Sequence, residues 1–337
     1  MQPFCVKTEI ERVTSMHIIL GTMTFSDQVD QQIASTMVAR FRDAGHSQVD
    51  TAFIYNKGKT EALLGTLNAD EMLNDCEIAG KANPRGGPGL TAESVTMQLN
   101  TSLQRMGKSS LDLFYLHSPD LDTPIAETLL AVHQLFEAGK FKRFGLSNYA
   151  AWQVAEIVEL CHQNGWIKPT VYQGMYNALT RDVERELFPC LSNYNMNFYA
   201  YNPLAGGMLT GKHNSIEEPP AIGRFATFEG YRDRYWKPGY FNVISNFVRS
   251  CKEFEIQPAA AALRWLIHHS DIAEVPDAAD DAGHIVEHGI ILGASSLNHF
   301  EQNLDACSAG PLPESIITTI NHGWEEIRPT CIKYFRP

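Results

Sequence analysis

Short β-branched or aromatic runs alternate with longer stretches of helical periodicity along almost the whole chain. The runs are His17–Gly21, Gln48–Phe53, Glu77–Lys81, Leu111–His117, Arg143–Ser147, Val171–Met175, Phe198–Tyr201 and Gly289–Leu292. Between them the helical pattern covers Gln31–Ala44, Lys59–Leu67, Ala92–Met106, Pro124–Ala138, Ala151–Asn164, Asp182–Tyr194, Tyr240–Phe254 with Pro258–His268, and Leu297–Cys307. Several runs are apolar almost throughout, as strands covered on both faces must be. Strands separated by crossover helices pair in parallel, and a chain of such units can close on itself. No Pro/Gly/Ser linker divides the 337 residues. The expectation is therefore an α/β fold of one domain over 1–337, a (β/α)8 TIM barrel. The rival is a doubly wound sheet, which carries G-x-G-x-x-G after its first strand. Here that strand runs into "GTMTFS".

Three stretches break the rhythm. Gly206–Gly239 is long, glycine-containing and basic (Lys212, Arg224, Arg232, Arg234, Lys237), and follows the seventh strand. It reads as a functional loop. Asp271–His288 is acidic and reads as a solvated excursion. The tail from Pro311 to Pro337 holds an extra helix. The loop and the tail are expected to close over the active face, where the strands end. Gly107, Gly139 and Gly165 follow helices as C-terminal caps, and Thr91 suits a helix start.

Composition removes several classes of function. The net charge is −12, from 39 acidic and 27 basic residues. Nucleic acid and anionic membranes need clustered cations, so neither is expected as a partner. There is no apolar run long enough for a membrane span and no secretory leader pattern. Seven scattered cysteines form no CxxC pair, which fits reduced thiols in the cytoplasm and no metal site.

Catalytic groups of a barrel gather at the C-terminal ends of its strands. Reading those ends gives Asp50 and Tyr55, then Lys81, then His117 ("YLHSPD"), Ser147 and Asn148 ("GLSN"), Gln173 ("YQGMYN") and Tyr201 ("AYNPLAGG"). A phenol titrates near 10, and a nearby ammonium favours its ionised form. An aspartate keeps that ammonium charged, and an imidazole orients a carbonyl oxygen. Tyr55, Lys81, Asp50 and His117 thus make a proton-delivery device for a carbonyl, with Lys81 expected to lower the pKa of Tyr55. Carbon then needs a hydride, which a nicotinamide provides. Ser147, Asn148 and Gln173 suit its carboxamide, and Tyr201 could stack on its ring. The turn "ILGASSLNHFEQN" offers a phosphate site at a helix start, around Ser295 and Ser296.

These segments, "VDTAFIYNKGKTEALLG", "AGKANP", "YLHSPD", "FGLSN", "YQGMYN" and "AYNPLAGG", resemble the aldo-keto reductase superfamily. "LAGGMLTGKH", "GRFATFEGYRDRYWK" and "YFR" are similar to its aflatoxin aldehyde reductase branch, known also for succinic semialdehyde reduction. The likeness runs from Met16 to Arg336. It implies NADPH-dependent reduction of aldehydes and ketones in a cytoplasmic, detoxifying homodimer with the tetrad Asp50, Tyr55, Lys81 and His117. For NADPH/NADP+ it implies a wall of Asp50, Ser147, Asn148, Gln173, Tyr201, Asn202, Leu204, Gly206, Gly211, Gly293, Ser295, Ser296, Gln302 and Asn303. Lys and Arg near the last strand–helix turn of other branches align with Gly293 and His299, so the 2′-phosphate falls to Lys212 and Arg224. For substrate it implies Met23, His117, Tyr231, Arg234 and Arg336, the guanidinium groups suiting a carboxylate.

Two other readings use the same residues. One is a non-catalytic nucleotide-binding regulatory subunit of this fold. The other is a lyase with Lys81 as a Schiff-base amine. "GGMLTGKH" nearly matches a P-loop, but His213 stands at the metal-binding Ser/Thr position.

Overall fold

A computed structural model describes residues 16–273 and 286–336, apart from residues 214, 219, 222 and 228. Strands β1 (His17–Gly21), β2 (Gln48–Asp50), β3 (Glu77–Ala82), β4 (Leu111–Leu116), β5 (Phe141–Ser147), β6 (Pro169–Met175), β7 (Asn197–Tyr201) and β8 (Gly289–Leu292) close into a barrel in chain order. All neighbours are parallel, and β8 returns to β1 with Ile19 beside Ile291. The (β/α)8 barrel expected from the alternation is the fold. Helices α1 (Gln31–Asp43), α2 (Lys59–Ala69), α3 (Ala92–Met106), α4 (Ile125–Glu137), α5 (Ala151–Asn164) and α6 (Leu187–Asn193) follow the first six strands. After β7 come α7 (Arg224–Thr227), α8 (Glu229–Tyr235), α9 (Pro238–Glu253) and α10 (Pro258–His268). After β8 come α11 (Leu297–Cys307) and α12 (Glu314–Ile327).

Strand pleat sorts the apolar residues into two cores. Ile18 and Leu20 face the helices, and with them most buried aliphatic and aromatic side chains form one continuous layer. Ile19, Leu113, Tyr115, Val171, Tyr199 and Ile291 point into the bore and fill it. The bore is therefore a packed plug, and ligand space exists only above it. Thr91 caps α3 by accepting from the Ser94 N–H at 3.2 Å, and Gly107 and Gly165 end α3 and α5 in left-handed conformations.

Two elements differ from their expected form. The helix expected over Asp182–Tyr194 is split into a 3-10 turn, Asp182–Glu184, and α6. Pro189 has no N–H and would clash with the Arg185 carbonyl, so a helix cannot continue from Arg185 through it, and α6 instead starts at Leu187 with Pro189 in its first turn. The stretch 206–239 is not one open loop: it holds a 3-10 turn (Ala205–Thr210), α7 and α8. Tyr235, buried by α8, accepts from the amides of Asn177 at 3.2 Å and Asn202 at 2.8 Å, which ties the segment to the barrel rim. Most of the acidic 271–288 excursion lies outside the described residues, as do Cys5 and Pro337. Among the described residues no helix is long and apolar enough to cross a membrane, and no cluster could hold a metal ion.

Candidate active site

A cleft of about 1520 Å³ opens at the C-terminal ends of the strands. Its floor is made where β2, β3 and β6 rise above the apolar plug. Asp50 ends β2, Lys81 lies next to last in β3, and both are almost wholly buried. Lys81 Nζ donates to Asp50 Oδ1 and Oδ2 at 2.6 Å each and to the Thr51 carbonyl at 2.7 Å. Gln173, on β6, donates from Nε2 to Asp50 Oδ1 at 2.8 Å. All three ammonium protons are used, so Lys81 presents no lone pair, and the Schiff-base reading loses its nucleophile.

Tyr55 lies above this pair in a tight turn after β2. Lys81 Nζ is 5.4 Å from the centre of the Tyr55 ring. The His117 ring meets that ring edge-on, with centroids 5.9 Å apart. His117 directly follows β4, and its N–H bonds the Ala82 carbonyl at 2.8 Å. Burial, then the charges of Lys81 and Arg336, pushes the imidazole well below its usual range, so it is neutral. Nδ1 is buried without a hydrogen-bond partner among the described residues. An orphaned buried N–H is rarer than an orphaned acceptor, so the proton belongs on Nε2.

The expected effect of Lys81 on Tyr55 is not what the geometry gives. The Tyr55 phenol is pushed well above 10, first by burial, then by the Asp50 charge and the neighbouring Tyr231 and Tyr201, against an opposing Arg224. Asp50 holds the ammonium with both oxygens, so Tyr55 faces a nearly neutral pair rather than a free cation. Lys81 is itself lowered by burial, with Asp50 opposing. The site keeps Tyr55 firmly protonated.

Most of the other expected residues line the same cleft: Met23, Ser147, Asn148, Gln173, Tyr201, Asn202, Leu204, Gly206, Lys212, Arg224, Tyr231, Arg234, Gly293, Ser295, Gln302, Asn303 and Arg336. Gly211 and Ser296 do not. A Cβ on Gly211 would press on Val248, and Ser296 caps α11 through a 3.4 Å contact with the His299 N–H. Asn148 is already engaged on both ends of its amide, with one Oδ1 lone pair left over. Its Nδ2 donates to the His117 carbonyl (2.8 Å) and Ser147 Oγ (2.9 Å), and its Oδ1 accepts from Tyr201 (2.7 Å). Its backbone carbonyl takes the Arg336 N–H at 2.9 Å, which brings the tail to the cleft. Asn148 thus ties together the ends of β4, β5, β7 and the tail.

Lys212 Nζ is 3.3 Å from His299 Nε2. Arg224 donates to the Tyr231 hydroxyl at 2.8 Å, and the Arg234 guanidinium lies 5.2 Å from the same ring. Cations therefore stand on two parts of the wall of an otherwise acidic molecule. Sequence reasoning missed Asn83 and Arg85, which also line the cleft. Both follow β3 within four residues of Lys81, and extending the strand-end rule past Lys81 finds them. Asn83 caps the turn to Arg85 at 2.9 Å.

The cleft exceeds what one small molecule fills. Its donor set places neutral amides and hydroxyls near the tetrad, Lys212 beside the start of α11, and Arg224 and Arg234 at Tyr231. That combination fits a dinucleotide carrying a phosphate, with a small substrate beside it.

A parallel barrel that sets a tyrosine over a buried Lys–Asp pair, beside a histidine, is the arrangement of an oxidoreductase that works on carbonyls. A model of the Aldo/keto reductase family matches residues 17–325, and the chain belongs to that family. It is 45% identical over 329 residues to the human aflatoxin B1 aldehyde reductase member 2, covering 94% of this chain and 89% of that protein. It is 44% identical over 329 residues to the human aldo-keto reductase family 7 member A3, covering 94% and 96%. An aldo-keto reductase of Pseudocercospora fijiensis (strain CIRAD86) is 39% identical over 306 residues, 89% of this chain and all of that protein. The chain is accordingly an enzyme that reduces aldehydes and ketones.

Proposed function

We propose that the chain reduces aldehydes to alcohols with NADPH, and that aldehydes carrying a carboxylate, such as succinic semialdehyde, together with aflatoxin dialdehyde are among its substrates. The reading rests on the buried Lys81–Asp50 pair beneath Tyr55, 2.6 Å between its charged atoms. NADPH, when bound, supplies a hydride for the carbonyl carbon. Tyr55 Oη–H bonds the carbonyl oxygen and releases its proton as negative charge grows there. The oxygen becomes strongly basic as the hydride arrives at carbon, so the proton moves as that charge develops. His117 Nε2–H donates to the same oxygen and fixes which face of the carbonyl is presented. Lys81 stabilises the phenolate that remains, and Asp50 keeps Lys81 charged.

For the cofactor, the Ser147 hydroxyl, Gln173 Oε1 and the remaining Asn148 Oδ1 lone pair would hold a carboxamide. Lys212 and Arg224 would hold the 2′-phosphate, and Ser295 its neighbours at the start of α11. Arg234 and Arg336 would take a substrate carboxylate. The test is Tyr55→Phe. Loss of this general acid lowers kcat for succinic semialdehyde by about 10²–10⁴-fold, while the NADPH Kd read by fluorescence stays put. Full retention of turnover would refute the role. A variant and a parent that both bind NADPH but turn over no aldehyde would favour a regulatory subunit.

A further inference from the structure

Tyr55 is followed by three residues in the left-handed region: Asn56 at φ 47°, Lys57 at 58° and Gly58 at 87°. Two of them carry side chains, so the conformation is unfavourable and survives only where its surroundings hold it. Two contacts hold it from opposite sides. On the β1 side, Asn56 Nδ2 donates to the Phe25 carbonyl at 2.7 Å. From the outside, Arg105 reaches in from α3. Its Nη1 donates to the Phe53 carbonyl at 3.3 Å, and its guanidinium stacks 4.6 Å from the Phe53 ring centre.

Gly58 records how closely Arg105 approaches. A Cβ there would sit 2.6 Å from Nη1 and 2.8 Å from Nη2, nearer than real contacts allow. Arg105 is in turn fixed by Glu61, in the first turn of α2. Glu61 has no exposed side-chain surface; its Oε2 accepts from Arg105 Nη1 at 2.9 Å and its Oε1 from Ser102 Oγ at 2.6 Å. A carboxylate is costly to bury. Neither Glu61 nor Arg105 lines the cleft.

We propose that the Glu61–Arg105 pair is a positioning device for Tyr55, bracing the Phe53 carbonyl and the left-handed turn so that the phenol stays over Lys81 and beside His117. This inference rests on Tyr55 being the proton donor. Arg105 fits the task because its planar fork bonds a carboxylate and a backbone carbonyl while its face covers an aromatic ring.

The test uses the full-length enzyme with NADPH and an aldehyde. Arg105→Met alone strands a buried carboxylate and can fail to fold, so the principal variant is Glu61→Gln with Arg105→Met. The amide keeps the Ser102 bond without a stranded charge. Small displacements of reacting groups cost about 10–100-fold. The expected result is kcat down by that factor per folded molecule, with the KM for aldehyde and the NADPH Kd within about twofold. Arg105→Lys, which restores a counter-charge but not the fork, should recover part of the loss. Amide exchange of Tyr55, whose N–H bonds the Ala52 carbonyl at 3.0 Å, should quicken in the double variant. A double variant with parental kcat and parental exchange would show the pair to be structural only and overturn the proposal. Tyr55→Phe run in parallel separates the two ideas: an active Tyr55→Phe enzyme overturns both, whereas an inactive one beside a fully active double variant overturns the positioning role alone.

Discussion

Replacing Asp50 by Asn, Lys81 by Met, and both together tests whether the floor of the site behaves as one electrostatic unit. The two charges are 2.6 Å apart with side chains 4% and 0% exposed. At that distance and an effective dielectric of 20 their attraction is roughly 6 kcal/mol. Desolvating two ions costs several kcal/mol each, so the pair adds little net stability. Removing one partner is different: a charge is left buried without its counter-ion, at about 3–5 kcal/mol. In Asp50→Asn, Lys81 also loses the group that opposes the lowering of its pKa by burial. The double variant removes both charges and should cost no more than either single variant, a coupling of at least about 3 kcal/mol. Urea unfolding of the cofactor-free protein measures this as midpoints at constant slope. Catalysis should show the same logic, each single variant losing about as much kcat as the double. Single variants that each cost under about 1 kcal/mol, or losses that simply add, would refute the coupled-pair account.

Two further outcomes follow from groups at opposite ends of the barrel. Lys212→Ala should raise the NADPH Kd about tenfold, as loss of one charge-assisted hydrogen bond does, and leave NADH unchanged; equal effects on both cofactors, by fluorescence titration, would detach Lys212 from the 2′-phosphate. His288, whose Nδ1 accepts the Phe198 N–H at 2.9 Å, is pushed down by burial from 6.5 to about 4. Its folded form resists a proton that the unfolded form accepts. Its stabilisation is therefore complete above pH 6.5 and is lost as pH falls toward about 4, a change of at most roughly 3 kcal/mol. Melting temperatures should fall between pH 7.5 and pH 5, and less steeply in His288→Gln; an unchanged slope in the variant would contradict the assignment.

The barrel was legible because its evidence is periodic and local. Six of the strands carry a polar residue at or near their end, and the strand-end rule then collects Asp50, Lys81, His117, Ser147, Asn148, Gln173 and Tyr201 with no knowledge of distance. What depended on distance was not legible. Nothing in the sequence singles out Glu61 and Arg105, and only the packing of α2 on α3 reveals one as buried and the other as reaching under Phe53. Asn148 reads as a free amide until three partners are seen to occupy it. The helices within 206–239 were hidden because α7 and α8 are short and held by contacts such as that of Tyr235 with Asn202, not by a long amphipathic pattern.

The electrostatics of Tyr55 show why spacing alone misleads. From sequence, Lys81 is a cation and its neighbour should acidify. In space, Asp50 takes the ammonium with both oxygens, so the ground state offers the phenol little positive charge and burial dominates. The lysine matters only when negative charge forms. An oxyanion or a phenolate beside Lys81, 5.4 Å from the ring centre, draws on a positive end that Asp50 has already fixed in place, with no reorganisation at the moment of transfer. Held high by burial, Tyr55 keeps its proton across the physiological range, as the proposed donor role requires.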